Sequence, residues 1–228
     1  MELDERPGSL VVIEGIDSSG KKTQAKRLVR KLKEQGEKVK YVEFPSYGSS
    51  ELGEVVSSFL RGEFGDRDEL SKEVIAMFYA MDRYQFRDEY KEFLKEGGII
   101  VANRYFQSNI AFQSAEYEGE EFEEMVDWLR KLESRLPQPD QVFIMDMDPE
   151  IAQGLMAEKD LRDYLQGMEK DINEEKVGFQ RKVAENYLKL AEMYDWTVIS
   201  CSEGRELRTI DEIGDEIWTR LDIDLDQG

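Results

Sequence analysis

Two hydrophobic periods alternate along the chain. Residues 9–14 (Ser-Leu-Val-Val-Ile-Glu) form a short β-branched run ended by Gly15, the pattern of a buried strand. Residues 23–35 switch to helical spacing and stop at Gly36. A strand over 38–44 closes at Pro45. Helical spacing then runs over 50–60 and over 71–95, where Gly97-Gly98 provides the stop, and a strand follows over 99–102. Helices are predicted over 106–114 and 120–135, and Pro137-Gln138-Pro139-Asp140 punctuates the chain before a strand over 141–146. Residues 149–156 suit a helix with proline in its first turn. Charged residues dominate 158–176, and helix, strand and helix follow over 179–193, 196–200 and 207–221. Five short apolar strands alternating with helices imply an α/β fold, a parallel sheet with helices on both faces, three layers deep.

Length and composition narrow this picture. At roughly 150 residues per domain, 228 residues predict one domain spanning 1–228, and 40% hydrophobic residues suit a packed core. No apolar run reaches the roughly 20 residues of a membrane span, and residues 1–8 are acidic without the layout of a signal peptide. The expectation is a soluble, cytoplasmic protein with no membrane partner. Net charge is −20, from 31 basic and 51 acidic residues, which argues against a nucleic-acid partner. The chain has no histidine and a single cysteine, Cys201. Ser-His-Asp and Cys-His relays, zinc sites of Cys and His, and a disulfide within the chain are therefore excluded. Catalysis is left to carboxylates, Lys, Arg, hydroxyls, backbone amides and a borrowed metal.

Gly15-Ile16-Asp17-Ser18-Ser19-Gly20-Lys21 follows the first strand and opens the first helix, the context a phosphate-binding loop requires. Its glycines let the backbone turn tightly so that N–H groups converge on phosphate oxygens, and the helix N-terminus adds partial positive charge. Lys21 supplies a mobile ammonium for β- and γ-phosphates. A hydroxyl that ligates Mg2+ is expected next, but Lys22 stands there and Thr23 comes one residue late. Two readings follow: Thr23 or a water holds the metal indirectly, or metal binding is weakened and Lys22 supplies part of the charge. Lys21, Lys22, Lys26, Arg27, Arg30, Lys31 and Lys33 form a positive island with no acid among them; most of these are ordinary solvated helix positions.

The run from Val11 through Gly15 and Lys21 to Gln24 resembles the opening of the thymidylate kinase family of P-loop nucleoside monophosphate kinases. The resemblance continues through Phe44-Pro45, Phe78-Tyr79-Ala80-Met81-Asp82-Arg83-Tyr84, Asn103-Arg104-Tyr105, Ser108, Ala111-Phe112-Gln113 and Pro137-Gln138-Pro139-Asp140, and so covers nearly the whole chain. It implies a P-loop kinase fold with a lid at about 158–176. The implied activity is transfer of the ATP γ-phosphoryl group to dTMP, giving dTDP and ADP, with Mg2+. It also implies a homodimer. ATP would be held by Gly15, Ile16, Asp17, Ser18, Ser19, Gly20, Lys21, Lys22 and Thr23, with Thr23 also a weak metal candidate, and by Arg162, with Lys159, from the lid. The catalytic set would be Lys21, Arg104 and Asp17.

Arg104 follows the third strand, at the end where open α/β sheets place ligands, and its fork suits two phosphates at once. Tyr79 and Arg83 lie four apart on one helical face. The resemblance makes them the stack and the donor for the pyrimidine; a core tyrosine and an Arg83 paired with acidic neighbours on the surface fit the same spacing. Phe44 is expected as a wall of the base site or as core, Gln113 as an amide for the base edge, Ser108 as a substrate contact and Tyr164 as the lid tyrosine near the sugar. Asp17 would accept from the sugar hydroxyl or orient Arg104, with Glu14 a weaker acid candidate. Three departures mark a divergent branch: Lys22 for the metal hydroxyl, Asn103 for the aspartate before Arg104, and Ser46-Tyr47-Gly48 where the family carries an arginine. They leave open a different acceptor such as dUMP, and a nucleotide-binding regulatory protein without turnover.

Overall fold

The structure is a computed structural model that describes residues 8–65, 70–164, 174–204 and 206–225, with the side chains of 157–164 and 174–176 outside that description. The strands β1 (Ser9–Gly15), β2 (Val39–Glu43), β3 (Ile99–Asn103), β4 (Gln141–Asp146) and β5 (Thr197–Ser200) form one sheet in the order β2-β3-β1-β4-β5. Every pairing in it is parallel. Parallel neighbours need crossover connections, which lay helices over both faces. β1 is central and buried from Leu10 onward, because both of its faces are covered. The helices α1 (Lys21–Glu34) and α9 (Ile210–Thr219) pack together across one face. On the other, α5 (Phe106–Gln113) and α8 (Glu174–Tyr194) lie together against β1, β4 and β5, flanked by α3 (Lys72–Tyr84) and α6 (Gly119–Leu132).

The helical spacing over 71–95 resolves into two helices, α3 and α4 (Arg87–Lys95), rather than one. Gln85 folds back, its Nε2 donating to the Asp82 carbonyl at 2.8 Å. Phe86 turns inward to stack on Tyr90 at 5.6 Å and to meet Phe44 at 6.0 Å. Tertiary aromatic packing overrides a continuous local pattern. The helix predicted over 149–156 extends as α7 (Pro149–Tyr164), and the last helix begins only at Ile210, where Thr209 and Glu212 form a capping box. A hairpin of β6 (Ser202–Glu203) and β7 (Glu206–Leu207) ends at Leu207, the first residue of the stretch predicted as helix; α2 (Glu51–Leu60) lies where expected.

Register brings chemistry to the carboxyl edge of the sheet. Ile13 faces Asn103, and Asn103 faces Glu43, so β1, β3 and β2 end side by side at the point where the loop 15–20 begins.

Candidate active site

The loop after β1 turns because its backbone is free to. Gly15 has φ 141°, and a Cβ there would meet the Met145 carbonyl oxygen of β4 at 2.7 Å, so only glycine fits. Ser18 (φ 59°) and Gly20 (φ 84°) complete the left-handed steps into α1. Lys21 is buried and curls back, its ammonium donating to the Ile16 carbonyl and to Ser19 Oγ at 3.2 Å. Burial first, and the nearby Arg104 guanidinium second, lower its pKa to about 7 against the pull of Asp17 and Glu14. Phosphate oxygens are the natural replacement for these weak partners.

Arg104 is built into place from several elements. Its N–H donates to the Ile13 carbonyl at 3.0 Å, extending the β1–β3 ladder, and its φ of 65° then bends the chain into α5. Such a conformation costs a non-glycine residue about 1–2 kcal/mol. Its Nη2 donates to Asp17 Oδ1 at 2.6 Å and Nη1 to Ser108 Oγ at 2.9 Å, with the guanidinium carbon 5.1 Å from the Phe112 ring centre. Burial opposes the charge, but Tyr187, Asp17, Glu14 and Tyr47 outweigh it and hold Arg104 above its ordinary pKa.

Glu14 is fully buried and differs from the weak acid candidate expected. Its carboxylate accepts from the Tyr105 N–H (2.8 Å), the Ser108 N–H (3.0 Å), Ser108 Oγ (2.6 Å) and the Tyr187 hydroxyl (2.8 Å). It caps α5 from a neighbouring strand, since the N-cap residue Tyr105 offers no side-chain cap. Burial, then Glu14, raises the Tyr187 pKa well above its usual value and keeps it a donor. Ser108 is therefore committed to Glu14 and Arg104, and the expected direct substrate contact becomes the positioning of Arg104. Gln180 has no motif that marks it in the sequence: its Oε1 accepts from the Asp17 N–H and its Nε2 donates to Asp17 Oδ2, both at 3.1 Å and 163 positions away.

Two further expectations change. Phe44 is not an open wall: it lies buried among Phe86, Tyr90 and Tyr105, with ring centres 5.8–6.4 Å away. Arg83 is 3% exposed and not a surface residue. It forks onto the fully buried Glu133, Nε to Oε2 at 2.9 Å and Nη2 to Oε1, and Asn109 Nδ2 also donates to Oε1 at 2.8 Å. Burial opposes the charge, and Glu133 more than offsets it. Asp82, the acidic residue next to it in the chain, instead holds Ser46 through the backbone N–H at 2.8 Å and through the hydroxyl. Tyr79 stays half-buried, edge-on to Phe59 at 6.4 Å. Tyr47 is half-exposed; burial first, then Tyr79, push its phenol up to about 12, and Arg104 and Asp17 act on it too. Tyr47 thus fills the approach where an arginine was expected. Gln113 is buried at the end of α5. Thr23 is exposed and turned about 100° around the helix from Lys22. The side chains of Lys159, Arg162 and Tyr164 lie outside the described residues.

The arrangement is one of positioned cations: a lysine in a phosphate loop, an arginine aimed across it, and an aromatic approach formed by Tyr47 and Tyr79. It has no histidine base, since the chain has no histidine. Cys201 is buried beside the loop, 3.9 Å from the Ser19 carbonyl, and burial raises its thiol to about 12. Such a site suits phosphoryl transfer, where positioning and charge neutralisation do most of the work.

Comparison with known proteins agrees. The family described as Thymidylate kinase matches residues 13–212. The chain belongs to the thymidylate kinase family. It is a phosphotransferase of the nucleoside monophosphate kinase class. The thymidylate kinase of Plasmodium falciparum is 30% identical over 217 residues, covering 95% of this chain and 91% of that one. A probable thymidylate kinase of Pyrococcus horikoshii is 34% identical over 189 residues, covering 82% and 84%. That of Arabidopsis thaliana is 32% identical over 199 residues, covering 87% and 67%. A solved thymidylate kinase from Candida albicans shares the fold, with a TM-score of 0.68, 23% identity, and coverage of 93% and 90%.

Proposed function

We propose that this thymidylate kinase family member transfers the γ-phosphoryl group of ATP to dTMP, with residues 1–228 acting as one catalytic domain and about 158–176 as its lid. A 5′-phosphate oxygen of dTMP forms the new P–O bond as the bond to the β-phosphate oxygen breaks, giving dTDP and ADP. The supporting observation is Arg104. It is strained in backbone, fixed by Ser108 and Asp17, and aimed between the phosphate loop and the Tyr47–Tyr79 approach. Lys21 and the loop amides hold ATP. Arg104 bridges the acceptor phosphate and the transferred group, and Asp17 lies beside the acceptor sugar. Tyr79 and Gln113 receive the base, with Arg83 behind them as scaffold.

Among the described residues no three acidic, Cys or His side chains converge as a metal cage. Mg2+ needs none, since it keeps waters and takes phosphate oxygens. The buried Asn103 Oδ1 has no protein donor and fits a metal-bound water. Mg2+ would supply further neutralisation of the transferred charge. The exposed apolar side chains Leu60, Phe64, Met77 and Met81 on or beside α2 and α3 support a homodimer. No described helix is long and apolar enough to cross a membrane, which with the net charge of −20 supports a cytoplasmic enzyme without nucleic-acid or membrane partners.

ADP release with dTMP, dUMP and other nucleoside monophosphates tests the reading. The highest kcat/KM is expected with dTMP. ATP binding without ADP release for any acceptor would sink it.

A further inference from the structure

The rim between α1 and β2 holds a charged arrangement that the reaction described so far does not use. Residue 22 sits where phosphate loops carry a metal-binding hydroxyl. Lys22 instead reaches across the sheet edge, Nζ 2.9 Å from Glu43 Oε2. Glu43 ends β2 and is fixed by two neutral donors, Asn103 Nδ2 to Oε1 at 3.0 Å and the Tyr41 hydroxyl to Oε2 at 3.0 Å. The carboxylate is thus rigid, and the ammonium is the movable member, its side chain 58% exposed. An ion pair this exposed adds little to stability and dissolves easily. A triphosphate arriving in the loop offers the ammonium several oxygens in place of one carboxylate, in a site that carries a lysine for a hydroxyl at residue 22 and an amide for a carboxylate at residue 103.

We propose that Lys22 is a tethered cation for the nucleotide phosphates, parked on Glu43 until ATP arrives, and that it makes ATP binding largely independent of divalent metal. The inference rests on the phosphate loop binding ATP, not on which acceptor is used. Lys22 begins one residue after Lys21, so its stem leaves the helix at the loop mouth. From there the ammonium reaches either Glu43 or the phosphate edge that a metal would otherwise cover. Glu43 acts as a positioning residue: it sets where the free ammonium rests and, as a fixed negative charge on the rim, opposes phosphate when the ammonium leaves it.

The test is calorimetric binding of ATP to the full chain, with EDTA and with Mg2+, alongside thermal unfolding. Wild type is expected to bind metal-free ATP within about threefold of its affinity with Mg2+. Lys22→Thr should weaken metal-free binding by about tenfold or more, and Lys22→Arg should retain it, with unfolding midpoints unchanged because the side chain is exposed. Glu43→Gln should strengthen metal-free binding a few-fold. Unchanged metal-free affinity in Lys22→Thr, or a wild type that loses most affinity in EDTA, overturns the proposal even if dTDP is formed. Absence of ADP release with every acceptor, alongside a Lys22-dependent metal-free affinity, overturns only the proposed reaction.

Discussion

Arg104 and Arg83 look alike by sequence, each an arginine beside a tyrosine in an aromatic-rich segment expected at the acceptor. The structure separates them by their partners. Arg104 is 15% exposed and pairs with Asp17, which is 48% exposed. Arg83 is 3% exposed and pairs with Glu133, which is not exposed at all. An arginine whose counter-ion faces the cleft can exchange it for a phosphate. One whose counter-ion is buried with it cannot do so without leaving a bare charge in the interior. The same side chain is machinery in one place and scaffold in the other, and the exposure of the carboxylate decides which.

The largest effect that tests this contrast is Arg104→Ala. Turnover should fall about 10³-fold or more, the range of arginines that neutralise a transferred phosphoryl group, or roughly 4 kcal/mol at 1.36 kcal/mol per tenfold. Glu14 keeps all four of its donors, none of which is Arg104, so the fold should persist; unchanged kcat would remove Arg104 from the reaction. Next comes Glu133→Ala, which strands Arg83 and should destabilise the fold by about 3–5 kcal/mol, lowering Tm by roughly 6–20 °C. ATP affinity of the folded fraction should be unaffected. If Tm instead holds and dTMP affinity collapses, Arg83 belongs with the substrate and the contrast breaks.

Lys21 sharpens the comparison as a third buried cation, one with only neutral oxygens as hydrogen-bond partners. Its folded pKa of about 7 lies below the ordinary 10.5, so between those values the native state holds fewer protons than the unfolded chain. Its unfavourable contribution to stability is full below about pH 7 and is relieved as pH rises toward 10.5. ATP should restore the charge, and binding near pH 8 should therefore take up a fraction of a proton. Calorimetry in buffers of different ionisation enthalpy reads that uptake, and a buffer-independent heat would refute it.

The strands and the phosphate loop were legible because they are local. β-branched runs, glycines at the turns and a lysine at the helix start need no distant partner to be recognised. What was not legible depends on distance in sequence. Glu14 looked like a spare acid because the groups it holds are 91 to 173 positions away. Phe44 reads equally as a base wall or as core, because nothing local reveals that Phe86 turns inward to meet it, the same turn that splits the helix predicted over 71–95. Gln180 carries no motif of its own; it matters through Asp17. Lys22 and Asn103 were visible as departures, but Glu43, which joins them, was not, since only the strand register sets it beside Asn103.

Burial of the lone thiol also makes the chain convenient to instrument. A thiol raised to about 12 and shut behind the phosphate loop leaves almost no thiolate for a maleimide near neutral pH. A cysteine placed at exposed Lys182 on α8, the helix that also presents Gln180 to Asp17, would carry a fluorophore at a single address. Nucleotide arrival could then be followed by optical readout without first engineering away the native cysteine.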